Sequence, residues 1–231
     1  MVLSKPPCPM LKESFDLPVF FDLGATFAFA LTGALAAIKR NYDIVGVLAL
    51  ALVSGLGGGL IRDGIFLQGG PTPLLTTPSY LYVIAAATVA GLFAQGHVQR
   101  FSWVIAWVDA LGLGAYAVFG VQEAIHAGLP PPAAVLVGVI TAVGGGLLRD
   151  VLTREEPLVF KPGQFYVLTA LAGAVTFIFC QAVLEQSANR SALVAIALTF
   201  VFRALTITLN WRTAPVASGS LFESEEPPAG T

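Results

Sequence analysis

The sequence predicts an all-α integral membrane protein with seven transmembrane helices, built as two inverted three-helix repeats plus a seventh helix. Three observations carry this prediction. Of the 231 residues, 56% are hydrophobic and only 11% are charged, and the mean hydropathy is +0.79, whereas soluble domains have about 25% charged residues. Seven apolar runs are each close to the roughly 20 residues that cross a bilayer. A seven-residue motif also occurs twice, at residues 57–63 and 144–150.

The apolar runs define the spans in chain order. We place them, to within a few residues, at 17–38, 44–66, 79–97, 101–126, 132–152, 163–186 and 191–211. The predicted segments are an N-terminal tail at 1–16, a first three-helix repeat at 17–98, a second, inverted repeat at 99–187, a seventh helix at 188–212 and a C-terminal tail at 213–231. The C-terminal tail is rich in Ser, Glu, Pro and Gly, a composition typical of disorder. The N-terminus lacks signal-peptide order, so we expect the first span to be retained.

The repeated motif reads GGGLIRD in the second span and GGGLLRD in the fifth. Three glycines weaken a helix by up to about 1 kcal/mol each relative to alanine, and they let another backbone or water approach closely. Ionisable groups inside a membrane usually face a protein interior or a water-filled path. The candidates for the ion or substrate pathway are therefore Gly57, Gly58, Gly59, Arg62, Asp63, Gly144, Gly145, Gly146, Arg149 and Asp150.

The repeat extends beyond the glycines. At the same offset of 87 positions Asp22 matches Asp109 and Gly33 matches Gly120, and at an offset of 84 the later matches are Pro73-Leu74 with Pro157-Leu158 and Tyr82-Val83 with Tyr166-Val167. Spans one to three therefore repeat as spans four to six. Because three is odd, the second copy must enter the membrane from the opposite side, as in many transporters and pores.

The positions of Lys and Arg predict the orientation. Residues on the N-terminal side are Lys5, Lys12 and Arg190, and those on the other side are Lys39, Arg40, Arg100, Arg154, Lys161 and Arg212. Since cytoplasmic loops carry the excess of Lys and Arg, we expect the N-terminus outside and the C-terminus in the cytoplasm, with the chain in the inner (plasma) membrane of a cell.

Depth in the membrane predicts the charge partners. Adjacent helical residues do not face each other, so Arg62 and Asp63 are not expected to pair. Asp22 and Arg62 lie about four to five residues from the outer ends of their spans, depths that match within a few Å at 1.5 Å per residue. By the repeat, Asp109 and Arg149 match at the inner end. We therefore expect Asp22–Arg62 and Asp109–Arg149 interactions, one in each leaflet.

Other polar groups give weaker signals. Arg203 is expected to snorkel to the cytoplasmic surface, and the alternative is that it pairs with a neighbour. Gly33 and Gly120 are expected to be packing glycines, and the alternative is that they line the pore. The hydroxyls of Thr32, Ser54, Thr141 and Tyr116 are unranked candidates for lining a pore. Glu123 and His126 close the fourth span, where we expect solvated side chains.

Two interpretations of the repeated motif stay open. Broken helices that meet at the midplane would expose backbone only where it lines a cavity, which describes an hourglass pore or a substrate site. Alternatively, the glycines only allow tight helix packing and the Arg–Asp pairs lock the bundle. Enzymatic function is not expected, because the glycines lack the GKS/GKT end of a Walker loop and no nucleophile motif is present. We expect no metal site, and Lys and Arg are too few for nucleic acid.

The doubled GGGxxRD motif, in seven spans built as three, three and one, resembles the prokaryotic branch of the TRIC family, the trimeric intracellular cation channels. The resemblance covers residues 17–211. It implies a homotrimer whose protomers each have an hourglass pore for monovalent cations, mainly potassium, with spans two and five kinked at the glycines. Some bacterial members have a glycine-transporter label. The Lys-Glu-Val motif of animal members is not evident here, and the C-terminal tail is acidic rather than basic.

The expected function is thus a potassium-permeable channel that partners the lipid bilayer and monovalent cations (potassium and sodium), with no cofactor other than bound lipid. The alternative is a secondary transporter for a small amino acid such as glycine, in which an Arg holds the carboxylate and an Asp the amine. A third hypothesis is a sealed structural bundle without transport.

Overall fold

A computed structural model of the chain describes residues 17–68, 72, 76–98, 103–161 and 165–209. These residues contain seven helices, one in each of the seven predicted spans. They are α1 (Phe20–Lys39), α2 (Ile44–Ile61), α3 (Pro78–Val98), α4 (Trp103–His126), α5 (Pro131–Leu152), α6 (Tyr166–Ala182) and α7 (Ala188–Thr208). The predictions for the two tails lie outside the described residues.

Local sequence signals set the helix ends. Asp43 caps α2 by accepting a hydrogen bond from the Gly46 amide at 2.8 Å, and α5 begins at Pro131, where a missing N–H costs nothing. The sixth span ends four residues earlier than predicted and the seventh begins three earlier. The reason is a turn between them, in which Glu185 adopts a left-handed backbone with φ 49° and Ser187 is extended before α7.

Neither glycine triplet breaks its helix, whereas the pore interpretation expected broken helices that meet at the midplane. α2 is α-helical through Ile61 and continues as a π-helix over Arg62–Leu67, and α5 is α-helical to Leu152. A π segment widens the helix and is common at functional sites. The irregular stretch of the second span therefore begins at the arginine and not at the glycines.

By length and apolar composition, five helices can cross a membrane: α1, α2 with its π segment, α4, α5 and α7. The other two, α3 and α6, have shorter apolar stretches, Pro78–Ala94 and Tyr166–Ala182. Large apolar side chains such as Phe93 and Tyr82 stay exposed on the outside of the bundle, as lipid contact requires. The chain is an all-helical, multi-pass membrane protein.

Two helix pairs form the centre of the bundle. α1 packs against α4, and α2 packs against α5. Around them α1 contacts α2 and α3, while α4 contacts α5, α6 and α7. The buried apolar residues form two clusters, one mainly among α4, α5, α6 and α7 and the other among α1, α2 and α3. The Arg149–Asp150 pair therefore lies on the central α5, and the Arg62–Asp63 pair lies in the π segment that continues the central α2.

Candidate functional site

The two glycine triplets bring α2 and α5 into backbone contact. A Cβ added to Gly58 would lie 2.2 Å from the carbonyl oxygen of Thr141, and one added to Gly145 would lie 2.4 Å from that of Ser54. Ser54 and Thr141 are themselves 87 positions apart, so one contact occurs twice, reciprocally. A third clash, at 3.1 Å, would join a Cβ of Gly144 to the Cα of Gly58. Only glycine permits so close an approach.

Gly33 and Gly120 support the same kind of packing between neighbouring helices. A Cβ on Gly33 would lie 2.6 Å from the Leu50 carbonyl oxygen, and one on Gly120 would lie 2.9 Å from the Cα of Gly138. The prediction that both are packing glycines is confirmed.

The end of α5 holds a buried ionic cluster around Arg149. Its Nη1 donates to Asp109 Oδ1 at 2.7 Å and to Thr32 Oγ1 at 2.9 Å, and its Nε donates to Asp150 Oδ1 at 2.9 Å. The predicted Asp109–Arg149 interaction is confirmed as an ion pair whose side chains are at most 5% exposed. Asp150 joins it as a second partner, although adjacent helical residues were not expected to pair.

Tyr166 and Arg203 complete this cluster. A Cβ on Gly146 would lie 2.8 Å from the Tyr166 hydroxyl oxygen and 3.6 Å from both Asp109 Oδ1 and Arg149 Nη2, so the glycine makes room for the polar groups. The Arg203 guanidinium lies over the Tyr166 ring at 5.1 Å, and the residue is only 2% exposed. The expectation that Arg203 snorkels to the surface is therefore wrong, because a ring inside the bundle receives the cation.

At the end of α2, Arg62 also pairs with its neighbour. Its Nε and Nη2 donate to the two carboxylate oxygens of Asp63 at 2.6 and 3.1 Å. The prediction that adjacent Arg and Asp do not pair is thus wrong in both repeats. Neighbouring side chains start about 100° apart around a helix, but the three-carbon stem of arginine is long enough to carry its head across that angle.

Asp22 and Arg62 form no ion pair within the described part of the chain, although each acts electrostatically on the other. Asp22 instead accepts a hydrogen bond from the Tyr80 hydroxyl. Among the described residues, Asp22 Oδ1 and Arg62 Nη1 have no hydrogen-bond partner. The two ends of the molecule therefore differ, because Asp109 and Arg149 form a direct ion pair and Asp22 and Arg62 do not.

Each Asp of an Arg–Asp pair also holds the segment that follows its helix. Asp63 accepts from the hydroxyl of Thr72, and Asp150 Oδ2 accepts from the Leu158 amide at 3.2 Å. Each pair thus links a helix end, a buried arginine and a connecting segment, a structural task that the sequence did not reveal.

The repeat also places different chemistry at one matched position. Arg149 donates to Thr32 on α1, whereas Arg62 lies over the ring of Phe119 on α4 at 5.4 Å. Thr32 and Phe119 are 87 positions apart, so each arginine reaches across to the same site in the other repeat. Arg149 contacts a hydroxyl there, and Arg62 contacts the face of an aromatic ring.

The hydroxyls that sequence analysis could not rank are mostly engaged in the protein. Tyr116 stacks on Phe29 with ring centroids 5.3 Å apart and donates to the Gly55 carbonyl. Thr141 donates to the Val137 carbonyl at 2.7 Å. Ser54 is buried, and its Oγ has no hydrogen-bond partner in the described residues.

A cavity of about 160 Å³ opens beside the Arg149 cluster. Its charged lining consists of Lys39, Asp109, Arg149, Asp150, Glu155, Glu156 and Lys161. Since Lys39 ends α1 and Asp150 is close to the end of α5, this cavity lies at the end of the bundle that the charge count predicts to be cytoplasmic. Sequence analysis missed Glu155 and Glu156, because acidic residues in a connection carry no span or repeat signal.

Tyr80 is a third residue that sequence analysis missed. The repeat aligns Tyr82 with Tyr166, but Tyr82 is 73% exposed whereas Tyr80 and Tyr166 are 3% and 2% exposed. Tyr80 contacts Asp22, as Tyr166 lies beside Asp109, so Tyr80 takes the corresponding place. The offset of 84 positions that matched Tyr82 with Tyr166 is therefore two residues too small, because the structural counterparts Tyr80 and Tyr166 are 86 positions apart.

Comparison with known protein families and curated sequences gives consistent similarities. A family model described as "Glycine transporter" matches residues 19–96 and 106–182. A UPF0126 membrane protein of Deinococcus radiodurans is 37% identical over 158 residues, 67% of this chain and 72% of the relative. The UPF0126 inner membrane protein YadS of Escherichia coli is 36% identical over 160 residues, 69% of this chain and 76% of the relative.

Solved structures give a similarity over more of the chain. The TRIC trimeric intracellular cation channel orthologue of Rhodobacter sphaeroides superposes with a TM-score of 0.78 and 32% identity, over 83% of this chain and 97% of that one. A TRIC cation channel solved to explain conductance gives a TM-score of 0.74 and 31% identity, over 87% and 97% of the two chains.

Proposed function

The chain belongs to the family of the prokaryotic TRIC channels and the UPF0126 membrane proteins, and from this premise we propose that it is a potassium-permeable cation channel. The observation that carries the proposal is the likeness to the Rhodobacter sphaeroides channel, which extends over 97% of that chain at 32% identity. The protein assembles as a homotrimer, and each protomer has its own pore.

The pore follows an inverted repeat, in which α1–α3 and α4–α6 are related by an axis in the membrane plane. The reciprocal contacts of Gly58 with Thr141 and of Gly145 with Ser54 support this symmetry. The path is an hourglass that enters through the cavity beside Arg149, narrows where α2 crosses α5 and leaves past Asp22. Since the backbones touch at the crossing, conduction requires α2 and α5 to bend apart at their glycines.

The charged residues at the two ends set what the pore admits. Asp22, Asp63, Asp109 and Asp150 favour cations at the mouths, while Arg62 and Arg149 offset part of that charge and limit the rate of conduction. Selectivity between potassium and sodium is modest, because no ring of backbone carbonyls of the kind found in potassium filters is apparent in the sequence.

The protein lies in the inner membrane with its N-terminus outside and its C-terminus in the cytoplasm. The gathering of Lys39 and Lys161 around one cavity, together with Arg40, which pairs with Glu155 at 3.0 Å, supports a cytoplasmic location for that end. Lipid covers the exposed apolar side chains of the outer helix faces.

A secondary transporter for glycine is the second candidate, and its support is the description of the matching family model. In that case Arg62 Nη1 would bind the carboxylate and Asp22 Oδ1 would bind the amine, since neither atom has a hydrogen-bond partner among the residues that the structure describes. Gradient-coupled uptake of glycine, without ionic current, is the behaviour expected of that alternative.

The proposal is tested by single-channel recording of purified protein in planar bilayers under a potassium gradient. Wild type is compared with Asp63→Asn and with the control Asp43→Asn, because Asp43 is exposed and asparagine caps a helix as well as aspartate. We expect discrete potassium currents, altered by Asp63→Asn and unchanged in the control. Silent bilayers with glycine accumulating in liposomes would favour the transporter, and no flux of either would favour a sealed bundle.

A further inference from the structure

The two ends of the proposed pathway contain the same three charged residues by repeat. One end has Asp22 with the Arg62–Asp63 pair, and the other has Asp109 with the Arg149–Asp150 pair. Each set alone carries a net charge of −1. If nothing else contributed, a permeating cation would meet equal electrostatic potentials at both mouths.

Glu123 adds a carboxylate at the Asp22 end only. It lies in the last turn of α4, is half-buried, and acts electrostatically on both Asp22 and Arg62. The position 87 residues earlier is Ala36, which lines the cavity at the opposite end and carries no charge. The set of Asp22, Arg62, Asp63 and Glu123 therefore has three carboxylates against one guanidinium, a net charge of −2.

Arg203 adds a guanidinium at the Asp109 end only. It comes from α7, which lies outside the three-helix repeat and so has no counterpart at the other end. It is 2% exposed, lies over the Tyr166 ring at 5.1 Å and attracts Asp109 electrostatically. Two carboxylates now face two guanidinium groups, and the set becomes neutral. At the cavity rim, Lys39 and Lys161 face Glu155 and Glu156, and Arg40 pairs with Glu155, so the rim adds no net negative charge.

We propose that Glu123 and Arg203 make the two mouths electrically unequal, so that each pore passes potassium more readily from the Asp22 end than from the Asp109 end. The inference rests on the proposed channel function. A net negative mouth concentrates cations and so feeds current in one direction. In water, one unit charge about 7 Å from the path changes the local cation concentration by about two- to threefold. Arg203 acts as a positioning and charge-balancing residue for Asp109, not as a group on the ion path.

The experiment is a single-channel current–voltage curve in symmetrical KCl, at about 0.1 M and at about 1 M. The ratio of the larger to the smaller current at equal and opposite voltages does not depend on how the channel is oriented. We compare wild type with Glu123→Gln, Arg203→Gln and Arg203→Lys, and use Arg190→Gln as a control at an exposed position of α7.

We expect a wild-type ratio of about two or more at 0.1 M that falls towards one at 1 M, where the screening length is only about 3 Å. Glu123→Gln should lower the larger current about two- to threefold. Arg203→Gln should raise the smaller one, while Arg203→Lys and Arg190→Gln keep the wild-type ratio. If Arg203 had only a structural role, Arg203→Gln would lower both currents or prevent folding, and it would not raise the smaller current.

Wild-type channels that conduct equally in both directions at 0.1 M would overturn this inference and leave the channel function intact. A wild-type ratio that Glu123→Gln does not change would also overturn it, even if Arg203→Gln fails to fold. Absence of any current from wild type would instead overturn the proposed function.

Discussion

The α2–α5 crossing gives the sharpest test of the structure, through the substitution Gly58→Ala. The added Cβ would lie 2.2 Å from the Thr141 carbonyl oxygen, more than 1 Å inside an ordinary contact. The obstacle is backbone, so no side chain can rotate away, and α2 must move from α5. Overpacking of this size costs about 1–3 kcal/mol, enough to offset the gain of up to about 1 kcal/mol that alanine brings to a helix.

The assay is thermal unfolding of detergent-purified protein followed by tryptophan fluorescence. After the helix gain is subtracted, the net loss is up to about 2 kcal/mol. In a chain of this length about 1 kcal/mol corresponds to about 2–4 °C, so Gly58→Ala should lower the Tm by up to about 8 °C. The matched control is Gly24→Ala in α1, where nothing lies within 4 Å of the new Cβ, and its Tm should be unchanged or slightly higher. Gly145→Ala should behave like Gly58→Ala, since its clash with Ser54 is the reciprocal one.

Equal melting temperatures for Gly58→Ala and Gly24→Ala would refute the close crossing. The helices would then be separated at the glycines, and an open path would already pass between them. A lowered Tm together with unchanged conductance would keep the crossing as packing but move the pore elsewhere.

Two further predictions concern the buried polar groups. Asp109→Asn should destabilise the protein by about 3–5 kcal/mol, because it leaves the Arg149 guanidinium buried with less compensation. In a thermal-unfolding double-mutant cycle with Arg149→Met, the combined loss should be smaller than the sum, and strict additivity would argue against the pair. Tyr80→Phe should cost about 1–3 kcal/mol, since the Asp22 carboxylate loses its donor, whereas Tyr82→Phe, at a side chain that is 73% exposed, should leave the Tm unchanged. Equal effects of the two would contradict the placement of Tyr80.

Much of the fold was predictable because the membrane imposes length and polarity on every span. Runs of apolar residues predicted seven helices, and the structure has seven. Matching depths in the membrane predicted the Asp109–Arg149 ion pair, which forms. Gly33 and Gly120 were identified as packing glycines, because a residue without a side chain inside an apolar span allows close helix approach. These features were predictable because each depends only on a residue's position along its own helix, which the sequence of that span gives directly.

Other features were decided by tertiary structure. Arg62 donates to its neighbour Asp63, and Asp22 accepts from Tyr80 instead. Because these partners lie at similar depth, depth alone could not predict which pairs form. The Arg203 side chain lies inside the bundle because its guanidinium stacks over the ring of Tyr166, the first residue of α6. Sequence determined which helices cross the membrane and which charges they carry. Only the packed bundle decided where each long side chain ends, because a flexible stem can reach several partners and the three-dimensional neighbours select one.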